Sequence, residues 1–171
     1  IKRWGSDDIR KSFLPLLASK LIGAYALSEV GSGSDAFSLS SRATRDGNSY
    51  VLTGRKAWIT NASEADIFII FANENRDEGH RGISAFLVER STPGLSIGKK
   101  ENKLGIRASS TCQIALDECR VPASNLLGLP GEGYKVAIET LNEGRIGISA
   151  QMVGLSQGAL DHALSYVQER Q

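Results

Sequence analysis

Ser38-Leu39-Ser40-Ser41-Arg42-Ala43-Thr44, then Asp46-Gly47, then Tyr50-Val51-Leu52 is the stretch that decides the fold. Its first seven residues alternate, Asp46-Gly47 marks a tight turn and residues 50–52 return as a strand, the pattern of a β-hairpin. The β texture spreads outward from this hairpin over residues 22–125. Further strands are read at 25–28, 66–72, 83–88, 95–97 and 112–116, with Pro93-Gly94 and Val121-Pro122 as punctuation. No helical stretch separates them. The pattern therefore predicts an antiparallel barrel or sandwich rather than a doubly wound parallel sheet.

Helical patterns lie on either side. Residues 6–20 predict a helix with Ser6 as N-cap, Asp7 and Asp8 at the positive end of the dipole and Lys20 near the other end. Phe13, Leu14, Leu16, Leu17 and Leu21 supply its apolar face, and Pro15 should kink or interrupt it. From Gly133 onward, Val136, Ala137, Leu141, Ile148, Met152, Leu155, Leu160, Leu164 and Val167 track the 3.6-residue period. Gly144, Gly147, Gly154 and Gly158 let this helix approach neighbours closely. The class is α+β: the end of a helical domain (1–21), a middle β domain (22–127) and the first long helix of a second helical domain (128–171). The chain begins at Ile1 without a secretory leader and stops in a helical pattern at Gln171, as expected for a piece of a longer protein.

Composition excludes several classes. The 171 residues carry 20 Lys and Arg against 19 Asp and Glu, a net charge of +1, which disfavours nucleic-acid binding. The longest apolar run, residues 67–72, is far short of the ~20 residues a spanning helix needs, so no membrane insertion is expected. Cys112 and Cys119 stand seven apart in a strand-like stretch, which should place them on opposite faces as reduced thiols. His80 and His162 have no acidic or thiol neighbours at ligand spacing, and no metal site is predicted.

Three motifs can carry chemistry. Residues 25–35 hold Gly31 and Gly33, which let a backbone turn closely about a ligand, with hydroxyls and N–H donors from Ser28, Ser32 and Ser34. This loop suits the polar edge of a flat heterocycle or a pyrophosphate, or is a plain turn between strands. Lys56-Ala57-Trp58-Ile59-Thr60-Asn61 puts Trp58 and Thr60 on one strand face, where an indole can pack a flat ring beside a hydroxyl. The alternative is a core tryptophan at a strand end. Asn142 and Arg145 share a helix face, Arg145 suiting phosphate or carboxylate, unless they form a solvated charged turn.

Taken in order, these segments carry a resemblance. Residues 26–38, Trp58-Ile59-Thr60, residues 82–88, 92–98, 103–110 and 121–128, Gly131-Glu132-Gly133-Tyr134 and Asn142 to Arg145 resemble the acyl-CoA dehydrogenase family across essentially the whole chain. Asn142-Glu143-Gly144-Arg145-Ile146-Gly147-Ile148 and residues 150–155 are most similar to its short/branched-chain branch. The resemblance implies FAD-dependent α,β-dehydrogenation of a short or branched acyl-CoA to a trans-2-enoyl-CoA. A carboxylate would take the α-proton, the β-hydrogen would pass to the flavin as hydride, and electrons would leave to an electron-transfer flavoprotein. It also implies a homotetramer, in the mitochondrial matrix or, for a bacterial chain, in the cytoplasm. Two alternatives stand beside it: an acyl-CoA oxidase-like flavoenzyme, and an inert fragment that binds acyl-CoA or FAD without turnover.

By the same resemblance, Tyr25, Ala26, Leu27, Ser28, Gly33, Ser34, Trp58, Ile59 and Thr60 line FAD, and Arg170 reaches its phosphates across a subunit interface. Ser28 and Thr60 would bond the heteroatom edge of the ring. Ser34, His80, Tyr134, Asn142, Glu143, Gly144 and Arg145 would hold the acyl-CoA. No catalytic base is expected within these residues. In the branch whose base precedes the arginine, that slot is Gly144 here, and Glu143 is turned about 100° away on a helix; in most other branches the base is a Glu far downstream, so the resemblance implies one beyond Gln171.

Overall fold

Ser6 starts the first helix, α1 (Asp7–Leu17), by accepting the Ile9 N–H on its hydroxyl at 3.3 Å, while Asp7 and Asp8 occupy the first turn. Pro15 sits inside the last turn and does not break the helix. Its missing N–H costs one bond only, and the Ala18 N–H closes the end onto the carbonyls of Leu14 and Leu16. The helix is shorter than the sequence pattern suggested, so Lys20 lies past its end.

The computed structural model describes residues 1–171, in which one sheet collects all eight strands. They are β1 (Gly23–Ala26), β2 (Arg42–Asp46), β3 (Ser49–Thr60), β4 (Ile67–Asn73), β5 (Ile83–Glu89), β6 (Leu95–Lys100), β7 (Thr111–Pro122) and β8 (Leu126–Leu127). Their order is β6-β7-β3-β2-β4-β5-β8, with β1 beside β4. The class is α+β as expected, but the sheet is mixed and does not close into a barrel. β1 pairs with β4 in parallel from Gly23↔Ile67 to Ala26↔Ile70, and β2 touches β4 in parallel at Arg42↔Asn73. Alternation within a strand reports which face is buried. It says nothing of the direction of the neighbour, so the antiparallel expectation had no local means of correction.

The hairpin forms where it was read, with Ala43↔Leu52 and Asp46↔Ser49 paired. Residues 38–41 are not strand, because Ser40 and Ser41 turn their N–H groups to the Glu29 carboxylate instead of to a neighbour in the sheet. The core lies on one face: Leu52, Ile59, Phe68, Ile70, Phe86 and Ile114 are all buried, with the Tyr50 and Phe86 rings 4.9 Å apart. Gly54, at φ 151°, permits this packing. A Cβ there would lie 2.3 Å from Ser41 Oγ.

Two bulges correct the register. In β7 the exposed pair Asp117 and Glu118, with Glu118 at φ 51°, inserts one residue between Leu52↔Cys119 and Gly54↔Leu116. Cys112 and Cys119 therefore point to the same core, not to opposite faces, and both are free. In β3 a second shift falls between Lys56 and Ile59, at Trp58.

Contacts divide the chain into Ile1–Val136 and Ala137–Gln171. The second helix, α2 (Gly133–Glu169), begins in the first unit and supplies the second. No helix is long and apolar enough to cross a membrane.

Candidate functional site

Trp58 is the residue the strand goes furthest out of its way to present. It stands at φ 60°, a conformation that a bulky aromatic side chain rarely tolerates, and its side chain is 63% exposed. The reading of a core tryptophan is excluded. Ile59 turns into the core, so Trp58 and Thr60 emerge on the same side, both exposed. The bulge gives the indole this aim, and Asn61, also left-handed at φ 61°, anchors the strand end by donating its N–H to the Ser110 carbonyl at 2.9 Å.

The 25–35 loop reaches the same strand. The Ala57 N–H donates to the Ser28 carbonyl at 2.9 Å, which puts Ser28 beside the residue preceding Trp58. Lys56, fully buried, donates to the Leu27 carbonyl at 3.2 Å and to the Glu29 carboxylate at 2.8 Å. The other side of that carboxylate accepts the Ser40 N–H at 2.6 Å and the Ser40 hydroxyl, while the Ser41 N–H donates to Glu29 Oε1 at 3.1 Å. Burial pushes the Glu29 carboxyl up, but the charge of Lys56 and the bonds from Lys56, Ser40 and Ser41 outweigh it and hold it at about 2. Burial pulls the Lys56 ammonium down against the opposing influence of Glu29.

Within the loop, Ala26 and Leu27 are buried and Ser28 is half-buried, whereas Gly33 and Ser34 are exposed. A Cβ on Gly31 or Gly33 would meet open space. Ser32 differs from expectation: it is fully buried, its hydroxyl donates to the Asp35 carbonyl at 2.7 Å, and its backbone pairs with Glu29, so it closes the turn. Tyr25 faces the side opposite the core. Its ring lies 5.0 Å from that of Phe71 and it lines an apolar cavity of about 340 Å³ with Leu14, Leu17, Ile67 and Ile69. Burial pushes its phenol upward, and the buried Oη has no protein partner.

His80 and Tyr134 come together. Their rings are 4.7 Å apart, and Phe37 packs 4.5 Å from Tyr134 on a tilted geometry. Beside them opens a cleft of about 350 Å³ lined by Phe37, Ser38, Ser40, Asn73, Arg76 and Gly79. Asn73, 6% exposed, leaves Oδ1 unpaired there, and the Arg76 guanidinium donates to the Ser40 carbonyl at 2.8 Å.

In the second unit, Arg145 donates to Asn142 Oδ1 at 2.9 Å, so the two do share a face. Glu143 and Gly144 are exposed on the same stretch of α2. Arg170 lies just past the helix end, its guanidinium 6.0 Å from the centre of the Tyr166 ring.

The sequence matches the model for the acyl-CoA dehydrogenase middle domain over residues 24–119 and that for the acyl-CoA dehydrogenase C-terminal domain over residues 131–171. The chain belongs to the acyl-CoA dehydrogenase family. It is 56% identical, over 99% of its length, to a probable short/branched chain specific acyl-CoA dehydrogenase of Dictyostelium discoideum. It is 50% identical, again over 99% of its length, to the mitochondrial short/branched chain specific acyl-CoA dehydrogenase of Rattus norvegicus. It spans 41% and 39% of those two proteins. Among solved structures it resembles the acyl-CoA dehydrogenase of Bacillus anthracis complexed with FAD, with 40% identity and a TM-score of 0.88 over 98% of this chain and 29% of that one.

For this acyl-CoA dehydrogenase chain, sequence reasoning missed Phe37 and the Glu29–Lys56 pair. Lys56 follows Arg55 in the chain and reads as one of two adjacent surface charges, so its burial left no local signal. Phe37 gave no signal either, because its ring partner Tyr134 lies 97 residues away and only the fold brings that ring to His80 as well.

Proposed function

We propose that this chain forms the cofactor face and part of the thioester-binding face of an FAD-dependent acyl-CoA dehydrogenase acting on short or branched acyl groups. The observation that carries the reading is Trp58, held outward at a strained φ next to an exposed Thr60 and tied through Ala57 to Ser28. An exposed flat aromatic with hydroxyls at its side fits a flavin ring and serves no packing purpose within the unit. The half-buried Ser28 and the open space at Gly31 and Gly33 fit the approach of a polar ligand edge.

When bound, FAD would supply the hydride acceptor. The chain's own residues do the rest of the work read here. Trp58 would pack against the ring, and the Ser28 and Thr60 hydroxyls would serve as hydrogen-bond partners for its heteroatoms. Tyr25, Ala26, Leu27, Gly33, Ser34 and Ile59 complete the cradle, and Arg170 meets the phosphates. By the family resemblance Ser34, His80 and Tyr134 of the first unit would contact the acyl-CoA, as would, in the second, residues 142–145, where the Arg145 guanidinium, bonded to Asn142, suits an anionic group. Gly144 offers no acid or base, and by the family resemblance the α-proton would go to a carboxylate outside residues 1–171. The three-part division at 1–21, 22–127 and 128–171, the tetramer and the electron-transfer flavoprotein as electron acceptor belong to the same reading, supported by the family resemblance. The mitochondrial relative supports a matrix location.

The test is made on the intact protein. Replacing Trp58 and Thr60 together with Ala should give a folded protein that purifies with little flavin, whereas the wild type is yellow. Normal flavin content and an unaltered absorption spectrum in that variant would remove the reading.

A further inference from the structure

We propose that the buried Glu29–Lys56 pair is the positioning element of the cofactor face, holding the Ser28 and Trp58 segments and the lip of the neighbouring cleft in one fixed arrangement. The proposal rests on the flavin reading above and deepens it. Both residues are buried, yet the segments that carry Ser28 and Trp58 are fastened through them. Lys56 grips the Leu27 carbonyl, one residue before Ser28, and lies two residues before Trp58. Glu29 grips Ser40 and Ser41, and Ser40 lines the cleft and in turn accepts from Arg76. Three stretches of chain distant in sequence thus meet at one charge pair, the segment after β1, the entry to β2 and the bulged strand β3, and the turn after β4 joins them through Arg76 on the Ser40 carbonyl.

A core position needs no such pair. Buried ion pairs are weak contributors to stability and can often be replaced by neutral groups of similar size without loss, so a fully buried pair bonded to the backbone of two other segments points to geometry rather than to stability. The directions of its bonds support this. Lys56 donates to one carbonyl and one carboxylate from the loop, and the Glu29 carboxylate accepts from Lys56, Ser40 and Ser41. Moving either charge by an ångström moves Ser28 relative to Trp58, which is the spacing a flat ligand reads.

Two variants of the intact protein separate positioning from a merely structural role. Glu29→Gln with Lys56→Met removes both charges and leaves no uncompensated ion in the core. Glu29→Asp keeps the charges but shortens the reach by one methylene. The proposal expects both to melt near the wild-type temperature while FAD binds roughly tenfold to a hundredfold more weakly, the usual cost of losing a residue that orients a ligand contact, and the flavin absorption bands shift. Wild-type FAD affinity and spectrum in a folded Glu29→Asp or double variant would overturn it. Loss of flavin strictly in step with loss of melting temperature across both variants would also overturn it, by reducing the pair to a stability element. A wild-type protein that takes up no FAD would instead bring down the flavin reading itself, and this proposal with it.

Discussion

Gly54 and Glu29 show what single residues decide here. A methyl group on Gly54 would collide with the Ser41 side chain and backbone at a φ that side chains rarely adopt, so Gly54→Ala should cost about 3 kcal/mol or more in urea unfolding. Glu29 gives a pH signature. Its folded-state carboxyl sits at about 2 against an ordinary 4.5, so its stabilising contribution is complete above the ordinary value and is lost as pH falls toward the folded one. Between those limits the urea midpoint of the wild type should fall more steeply than that of Glu29→Gln. Trp58 and Thr60 could be read from spacing as sharing a face, because alternation is a local property. The pairing of Glu29 with Lys56, 27 residues on, could not, since charge partners across a fold leave no period in the chain.

Strands tell a similar story one level up. Residues 66–72, 83–88 and 112–116 were legible as strands because their apolar runs are bounded by turns. β3 was legible in two pieces, residues 50–52 and 56–61, but not as one strand, because Gly54 and the bulge at Trp58 break the alternation between them. β8, of two residues, is below any pattern. The bulge in β7 is the instructive case, because one extra residue reversed the expected facing of the two cysteines. Both thiols are pushed up by burial, and neither should react with a thiol reagent until the protein is unfolded. The two bulges should also respond differently to glycine. Glu118→Gly relieves a left-handed residue with no exposed role and should raise stability by about 0.5–1 kcal/mol. Trp58→Gly relieves the same kind of strain but should lose flavin, and comparing melting temperature with flavin content in the two variants measures the difference.

At the scale of the molecule, the helical unit carries the thioester side of the proposal. Arg145→Ala in the intact protein should depress turnover of a short acyl-CoA while flavin content stays at the wild-type level; steady-state kinetics beside the flavin spectrum check both halves. Along α2, Ile146, Val153, Leu155 and Val167 are exposed, as in a helix whose several faces suit apolar neighbours. The helix itself was plain in the sequence from its period. The three-zone order was plain too, since texture changes at its borders, whereas the mixed sheet was not.

The pairing of β3 with β7 bears on how the polypeptide is made. Its partners lie between Ser49↔Pro122 and Thr60↔Thr111, so the central seam of the sheet joins residues 51 to 73 positions apart. A ribosome delivers the earlier strand long before its mate, and for that interval a twelve-residue edge hangs open with its amides unanswered. Closure of so distant a seam is slow by nature, so a pause in translation just upstream of Thr111 prolongs the interval in which that edge can pair with another polypeptide.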